Sequence, residues 1–421
     1  MLHIFKKLHE LQQSSYDPGR DRTKLLELYD EILNIANDRD AFLQASHATM
    51  QSLTCNALSD KEEKQWLCYA GSIYASYAAV KLYESATNKT VRYSPEETEQ
   101  LAACYLDGSY AKEVTSAGLY ACAQHLSENA PMRCYELTEQ AFTLNPKLAD
   151  VLGIPYCYTK PTSEDDLTKT CPFCGSGKER LTPHYCSPQI MKAGKKHAFP
   201  PAKLWIKCNE CENYFTYRFP KSRTSLINGH YTKKDGDALE NKFSLSHYGA
   251  LFDQFRKLAS GNDYLEIGVG TGEMLAVAQE YGYQVDAVEI CREDCERISS
   301  ILNIDISWCD VLDYETDKQY DVIVMGDVLE HVIHPVRLLE KAKHMLKQEG
   351  ILWISTPNYN SAYARMQKFS HCMWHELNHY TYVSYESLKR LLETMQMEVV
   401  HYAISSRYIG SMELIIRRRK A

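Results

Sequence analysis

The sequence predicts an α/β chain: a doubly wound, Rossmann-like domain in the C-terminal half, a small cysteine-held segment before it, and an all-α N-terminal domain. Three observations carry this. From Asp263 short apolar runs alternate with helical patterns, and the first run leads straight into the glycine-rich turn Gly268-Val-Gly270-Thr-Gly272. Two CxxC pairs, Cys171-Pro-Phe-Cys174 and Cys208-Asn-Glu-Cys211, frame a stretch without regular periodicity. Before residue 150 the pattern is helical throughout. At 421 residues the chain exceeds one core, and these changes of character divide it into 1–150, 155–225 and 235–421.

Composition sets the class. With 44% hydrophobic and 24% charged residues the chain falls in the soluble globular range. No apolar window is long enough for a membrane span, and the N-terminus MLHIFKKLHELQQ lacks the apolar stretch of a signal peptide. A cytoplasmic location is therefore expected. The net charge of −8 argues against a nucleic-acid partner, and the basic run 417–420 reads as a solvated chain end. Most of the 15 cysteines stand singly inside helical or strand patterns, which suits reduced thiols.

In the N-terminal domain, Leu25, Leu26, Leu28, Ile32, Leu33 and Ile35 recur at helical spacing through 22–37. The run 65–86, rich in Ala, Tyr and Leu, reads as a helix packed on several sides. Ser94-Pro-Glu-Glu starts another helix, with Ser as N-cap, Pro at the first helical position and acids in the first turn. Ala141-Phe-Thr-Leu-Asn-Pro resembles the closing helix of a tetratricopeptide-type repeat, but no clean period of about 34 residues runs through the region. A plain helical bundle stays open. Either form would serve as a module for a protein partner or a homodimer.

The cysteine pairs have a direct chemical reading. A CxxC loop presents two thiolates on one tight turn, and two facing loops build a tetrahedral sulfur cage that suits zinc. Cys171, Cys174, Cys208 and Cys211 are the expected ligands, with Cys157 and Cys186 as nearby spares. The CPxCG form resembles zinc ribbons and rubredoxin-like modules. Four thiolates leave no open position, so the zinc would be structural. A redox dithiol or an iron site is the alternative.

The C-terminal domain opens with a βαβ unit: strand 264–267, glycine turn, helix 273–281 and strand 283–288, ending in Glu289. A dinucleotide fingerprint GxGxxG from Gly268 would need glycine at 273, where Glu stands, so the spacing is GxGxG. Glu289 at the second strand's tip is placed to accept hydrogen bonds from both hydroxyls of a ribose. Further on come Trp308-Cys-Asp310-Val-Leu, then Tyr320-Asp-Val-Ile-Val-Met-Gly-Asp327-Val-Leu-Glu-His331-Val, then Gly350-Ile-Leu-Trp-Ile-Ser-Thr-Pro-Asn358.

Together these segments resemble the class I S-adenosylmethionine-dependent methyltransferases, in the subgroup with small-molecule O- and C-methyltransferases. The resemblance implies a seven-stranded sheet whose last strand, 411–417, runs antiparallel. It also implies S-adenosylmethionine as cofactor. Glu266 with Gly268, Gly270 and Gly272 would cradle its methionine part, Glu289 its ribose and Asp310 its adenine, with a turn cap as the alternative for Asp310. Asp327 would pass close to the methionine end.

An oxygen or carbon acceptor also needs a base, for which His is suited. His331 follows the fourth strand, and His375 and His379 lie in the loop after the fifth; similarity to the relatives' loop puts them in the order His379, His331, His375. His375-Glu-Leu-Asn-His379 also spells HExxH, but that zinc-protease pattern needs a helix, and Tyr380-Thr-Tyr-Val follows at once. The expected activity is methyl transfer to an oxygen or carbon of a small metabolite, such as a sugar or natural-product intermediate. The alternatives are an RNA or protein methyltransferase that holds substrate with the ribbon and helical domain, and a non-catalytic partner-binding protein.

Overall fold

The computed structural model describes residues 95–107, 112–146, 148, 157–158, 166–187, 198–199, 201–219, 242–376 and 378–420. The helices read at 22–37 and 65–86, and any repeat built on them, lie outside the described residues. The chain forms two compact units, Met1–Thr162 with Pro183–Leu204, and Ser163–Thr182 with Trp205–Ala421.

The first unit contains α1 (Pro95–Asp107), α2 (Lys112–His125) and α3 (Pro131–Leu144). Pro95 and Pro131 each stand at a helix start, where proline's missing N–H is no loss. Leu119, Tyr120 and Ala123 of α2 bury against Leu137, Ala141 and Phe142 of α3, with the Tyr120 and Phe142 rings edge to face at 5.8 Å. The helix ends at Leu144 with Asn145 as C-cap, so the Leu-Asn-Pro signal marks a real terminus.

The second unit is built on one sheet. Its strands are β3 (Asp263–Ile267), β4 (Gln284–Glu289), β5 (Ile306–Trp308), β6 (Tyr320–Gly326), β7 (Leu346–Pro357), β9 (Met397–Ile404) and β10 (Ser411–Arg418), after β1 (Lys203–Cys208) and β2 (Tyr214–Thr216) of the cysteine segment. The intervening β8 (Thr381–Tyr382) pairs with β2 instead. The order in the seven-stranded sheet is β5-β4-β3-β6-β7-β10-β9. Its neighbours pair in parallel except β10, which is antiparallel to both β7 and β9. Central strands buried on both faces explain the unbroken apolar runs: Val322 to Met325 and Ile351 to Ile354 are at most 1% exposed.

Helices α4 (Lys242–Leu258), α5 (Glu273–Glu280), α6 (Arg292–Leu302), α7 (Pro335–Met345), α8 (Ala362–Gln367) and α9 (Tyr385–Thr394) accompany the sheet. Tyr248, Leu251, Phe252 and Phe255 recur on one face of α4 and enter the core beside Tyr264, Val324 and Trp353. At the strands' amino ends Lys347 bridges Asp263 at 2.6 Å and Asp321 at 2.8 Å, tying β3, β6 and β7 at the edge away from their carboxyl ends. Among the described residues no helix is long and apolar enough to cross a membrane.

The cysteine segment is divided between the two units. Residues 163–182 and 205–219 belong to the α/β unit, while 183–204 group with the helices. The reason is core size. A metal-held loop of this length cannot cover Trp205, Tyr214 and Phe215 by itself. β2 therefore pairs with β8, and Trp205 packs between Trp374 and Tyr382.

Candidate functional site

The sheet's strand order reverses direction between β3 and β6, and open α/β sheets form a crevice at such a point, outside the carboxyl ends of the strands. The turn after β3 fills one wall. Gly268, Gly270 and Gly272 have φ of 79°, 51° and 84°, where side chains other than glycine are strained. A Cβ on Gly272 would stand 2.7 Å from Ile298, so glycine lets the start of α5 lie against α6. A Cβ on Gly270 would meet no protein atom within 4 Å, and this residue lines a cavity of about 490 Å³.

Acids follow in order along the cavity. Glu289, 6% exposed, accepts the Val269 N–H on Oε2 at 2.9 Å and the Cys291 N–H on Oε1 at 2.8 Å. The two bonds fix the carboxylate, and each oxygen keeps a further lone pair for a ligand. Asp310 caps the turn after β5 by accepting the Leu312 N–H at 2.9 Å and also lines the cavity, so both readings of this residue have a geometric basis. Glu266 is 3% exposed and accepts the Tyr264 O–H at 2.8 Å. Burial pushes its carboxyl up to about 8, although the Tyr264 bond works against the rise.

The opposite wall begins with Asp327, directly after β6, in a left-handed backbone with φ 56°. Such a conformation in a non-glycine residue is held by its surroundings. Its carboxylate accepts the Ser355 O–H at 2.8 Å and faces Arg407 at 3.5 Å. Burial raises the Asp327 pKa and Arg407 opposes the rise. The Arg407 guanidinium lies 5.3 Å from the ring centres of both Tyr248 and Tyr408.

Glu330, 1% exposed, accepts the Thr356 O–H at 2.9 Å, and burial followed by the Asp327 charge holds its carboxyl well above the usual range. His331 and His379 meet edge to face with ring centres 4.6 Å apart. Their hydrogen bonds assign the tautomers. His331 Nδ1 lies 2.9 Å from the Asn378 carbonyl, which only accepts, so Nδ1 carries the proton. The Tyr382 O–H donates to the Met373 carbonyl, so the Tyr382 oxygen accepts from His379 Nδ1 at 2.8 Å. In both imidazoles the lone pair is thereby left on Nε2. One atom each from Glu330, His331 and His379 falls within 4.8 Å of the others, a donor set able to hold a divalent cation or relay a proton.

His331 lines the cavity with Asn378 and Tyr380, whereas His379 backs His331. His375 turns away to donate Nε2–H to the Phe369 carbonyl at 2.9 Å, and burial lowers its pKa. It ends a short 3₁₀ turn, and Glu376 is extended, so the HExxH letters share no helix. This geometry brings His331 ahead of His379 and leaves His375 out of the cavity. Arg407, Tyr248, Tyr408 and Tyr380 also line it and were not singled out from sequence. They come from α4 and from loops, where no residue spacing announces them.

The four cysteines predicted as ligands do converge. Their sulfurs lie within 4.8 Å of one another, with Cys171 Sγ 3.5 Å from Cys211 Sγ and Cys174 Sγ 3.6 Å from Cys208 Sγ. The hydrogen bond from Cys171 draws the Cys211 thiol down to about 6. Cys186 is not a spare ligand: it is fully buried and hydrogen-bonded to Cys134 of α3.

Residues 245–402 match the family model described as a methyltransferase domain. Over 112 residues the chain is 32% identical to a ubiquinone biosynthesis O-methyltransferase of Glaesserella parasuis, covering 23% of this chain and 46% of that protein. Over 141 residues it is 26% identical to a probable (S)-tetrahydroprotoberberine N-methyltransferase 2 of Papaver bracteatum, covering 31% of this chain and 38% of that protein. The chain thus spans less than half the length of these curated relatives. A solved structure of magnesium protoporphyrin IX methyltransferase from Synechocystis PCC 6803 with bound S-adenosylhomocysteine is 15% identical, covers 47% of this chain and 93% of that one, and has a TM-score of 0.35.

Proposed function

We propose that the protein, whose residues 245–402 match a methyltransferase-domain family model, is a class I enzyme that transfers a methyl group from S-adenosylmethionine to an oxygen or carbon of a small metabolite, such as a sugar or natural-product intermediate. The observation that carries this is one cavity with a glycine cradle on one wall and a tautomer-fixed histidine on the other. Gly270 leaves the space that a close-lying ligand backbone needs.

The residues fit the cofactor. Six carboxyl residues (Glu266, Glu273, Glu289, Asp294, Asp310 and Asp327) line the cavity against the guanidinium groups of Arg297 and Arg407, which suits a ligand with cationic centres. Glu289 would hold the ribose hydroxyls, and Asp310 the adenine amino group between Ile290 and Val311. Asp327 and the glycine turn would hold the methionine end. When bound, S-adenosylmethionine supplies an electrophilic methyl on a sulfonium.

The chain's part is then alignment and proton removal. His331 Nε2 takes the proton of the acceptor hydroxyl or carbon acid, with His379 packed behind to hold the ring. Burial, and then the Asp327 charge, raise the Glu330 carboxyl, which lessens the negative charge that would oppose formation of the acceptor anion. The four-cysteine cluster would take a structural zinc, since all four positions are filled by sulfur.

Calorimetric titration of the purified protein with S-adenosylhomocysteine tests the reading. Binding at one-to-one stoichiometry, weakened about 30-fold or more by Glu289→Ala, is expected, because a charge-assisted bond pair is worth about 2 kcal/mol or more. No binding to folded protein would reject methyl transfer and favour a partner-binding role.

A further inference from the structure

Trp205 belongs to β1, three positions before the knuckle residue Cys208, and does not line the cavity. Its indole is wholly buried, and it bonds and stacks on the loop that forms the acceptor wall. Nε1–H donates to the Trp374 carbonyl at 3.0 Å, and the ring stacks on Tyr382 with centres 4.6 Å apart and planes 25° apart. Tyr382, 1% exposed, holds its hydroxyl between the Met373 carbonyl and His379 Nδ1.

The backbone repeats the pattern. β2 pairs antiparallel with β8, and the Thr216 N–H donates to the Tyr380 carbonyl at 2.9 Å. At the knuckle itself the Glu212 carbonyl accepts the Tyr359 O–H at 2.7 Å. The segment between α8 and α9 that carries Asn378, His379 and Tyr380 contains two short 3₁₀ turns and a two-residue strand, so it has little regular hydrogen bonding of its own. Such segments open at low free energy unless packed from outside.

We infer that the hairpin closed by the Cys208–Cys211 knuckle is the positioning device of the acceptor wall, with Trp205 and Tyr382 as its positioning residues. Trp205 fixes Tyr382, and the Tyr382 hydroxyl holds His379 in the Nδ1–H tautomer. His379 in turn packs on the ring of His331. A Phe at Tyr382 would fill nearly the same volume, so packing alone does not account for the phenol O–H, and the Trp205 indole adds an N–H that bonds the same loop. The inference rests on the methyl-transfer reading for its functional meaning and on the hydrogen bonds for its geometry.

The test labels the histidines of the full, metal-replete chain with ¹⁵N and records long-range ¹H–¹⁵N spectra, which report ring tautomers directly. Wild-type His379, identified by the loss of its signals in His379→Gln, is expected as Nδ1–H. Tyr382→Phe should shift it to Nε2–H or a mixture, and Trp205→Phe should broaden or mix the same signals. Affinity for S-adenosylhomocysteine should stay within about twofold in both variants, because the hydrogen bonds of these two residues are to the loop after β7 and not to the glycine turn or Glu289. Two variants, of which Tyr382→Phe conserves volume, guard against one of them failing to fold. An Nε2–H tautomer in wild type, or unchanged His379 signals in folded Tyr382→Phe, would overturn the inference; unchanged signals in Trp205→Phe would remove Trp205 from it. Loss of cofactor binding in wild type would defeat the methyl-transfer reading instead, while the tautomer result would still decide the positioning.

Discussion

Replacing Glu266 by Gln turns the unusual environment of this carboxyl into a measurable stability. The side chain is 3% exposed and lies beside Glu289 and Glu273, and burial drives its pKa from 4.5 to about 8 in the folded protein. A carboxyl raised on folding contributes stability that is complete below its unfolded value of 4.5 and is lost as pH rises through 8. The difference of about 3.5 units sets a ceiling of roughly 5 kcal/mol, and between pH 5 and pH 9 the loss amounts to about 4 kcal/mol. Gln keeps the shape and can accept the Tyr264 O–H, but does not ionise. Urea unfolding of wild type and Glu266→Gln should therefore give similar stabilities at pH 5, and the variant should lead by a margin that widens to about 4 kcal/mol at pH 9. Parallel stability curves across this range would mean that Glu266 ionises without penalty, and the argument from burial would fall.

Other expectations follow from the same geometry. His331→Ala should lower turnover by about 10²- to 10⁴-fold with affinity for S-adenosylhomocysteine retained; unchanged turnover would exclude His331 as base. Gly272→Ala should lower stability by about 1–3 kcal/mol in thermal unfolding, since it adds left-handed strain to the contact with Ile298. Gly270→Ala should cost only about 1 kcal/mol of stability but weaken S-adenosylhomocysteine binding in calorimetry, and wild-type affinity there would remove the turn from the cofactor site. Metal analysis should find one zinc per chain, lost in the double variant Cys174→Ser/Cys211→Ser along with protease resistance of the knuckle segment. Full zinc content in that variant would place the metal elsewhere.

The C-terminal fold was legible because its signals are local. A strand that is buried on both faces must be apolar throughout, and a turn that needs three left-handed residues must be glycine-rich. β3 and β4 were therefore readable to within a residue, and Glu289 is the acidic residue that ends β4. The pairing of the four cysteines was legible for a similar reason, since two thiols on one tight turn are a local arrangement. Helix α4 was not read, although its Tyr248, Leu251, Phe252 and Phe255 form an apolar face.

The acceptor wall is a different case. Asp327 and Glu330 come from the end of β6, Tyr380 from a loop about 50 positions later, Arg407 from another, and their pairing depends on strand order. Sequence placed His379 ahead of His331 by its neighbours in the chain, while the cavity lies against His331. The cysteine segment likewise reads as a separate body, but its Trp205 and Tyr214 pack on aromatic residues of the loop after β7.

By itself the sequence determined the α/β class, the glycine turn, the acid at the tip of β4 and the four sulfurs, because each follows from the conformational needs of neighbouring residues. Only the tertiary structure decided which histidine faces the cavity, which tautomer it holds and what the cysteine hairpin supports. Those depend on contacts such as that between Trp205 and Trp374, 169 positions apart, and no local preference specifies such a contact.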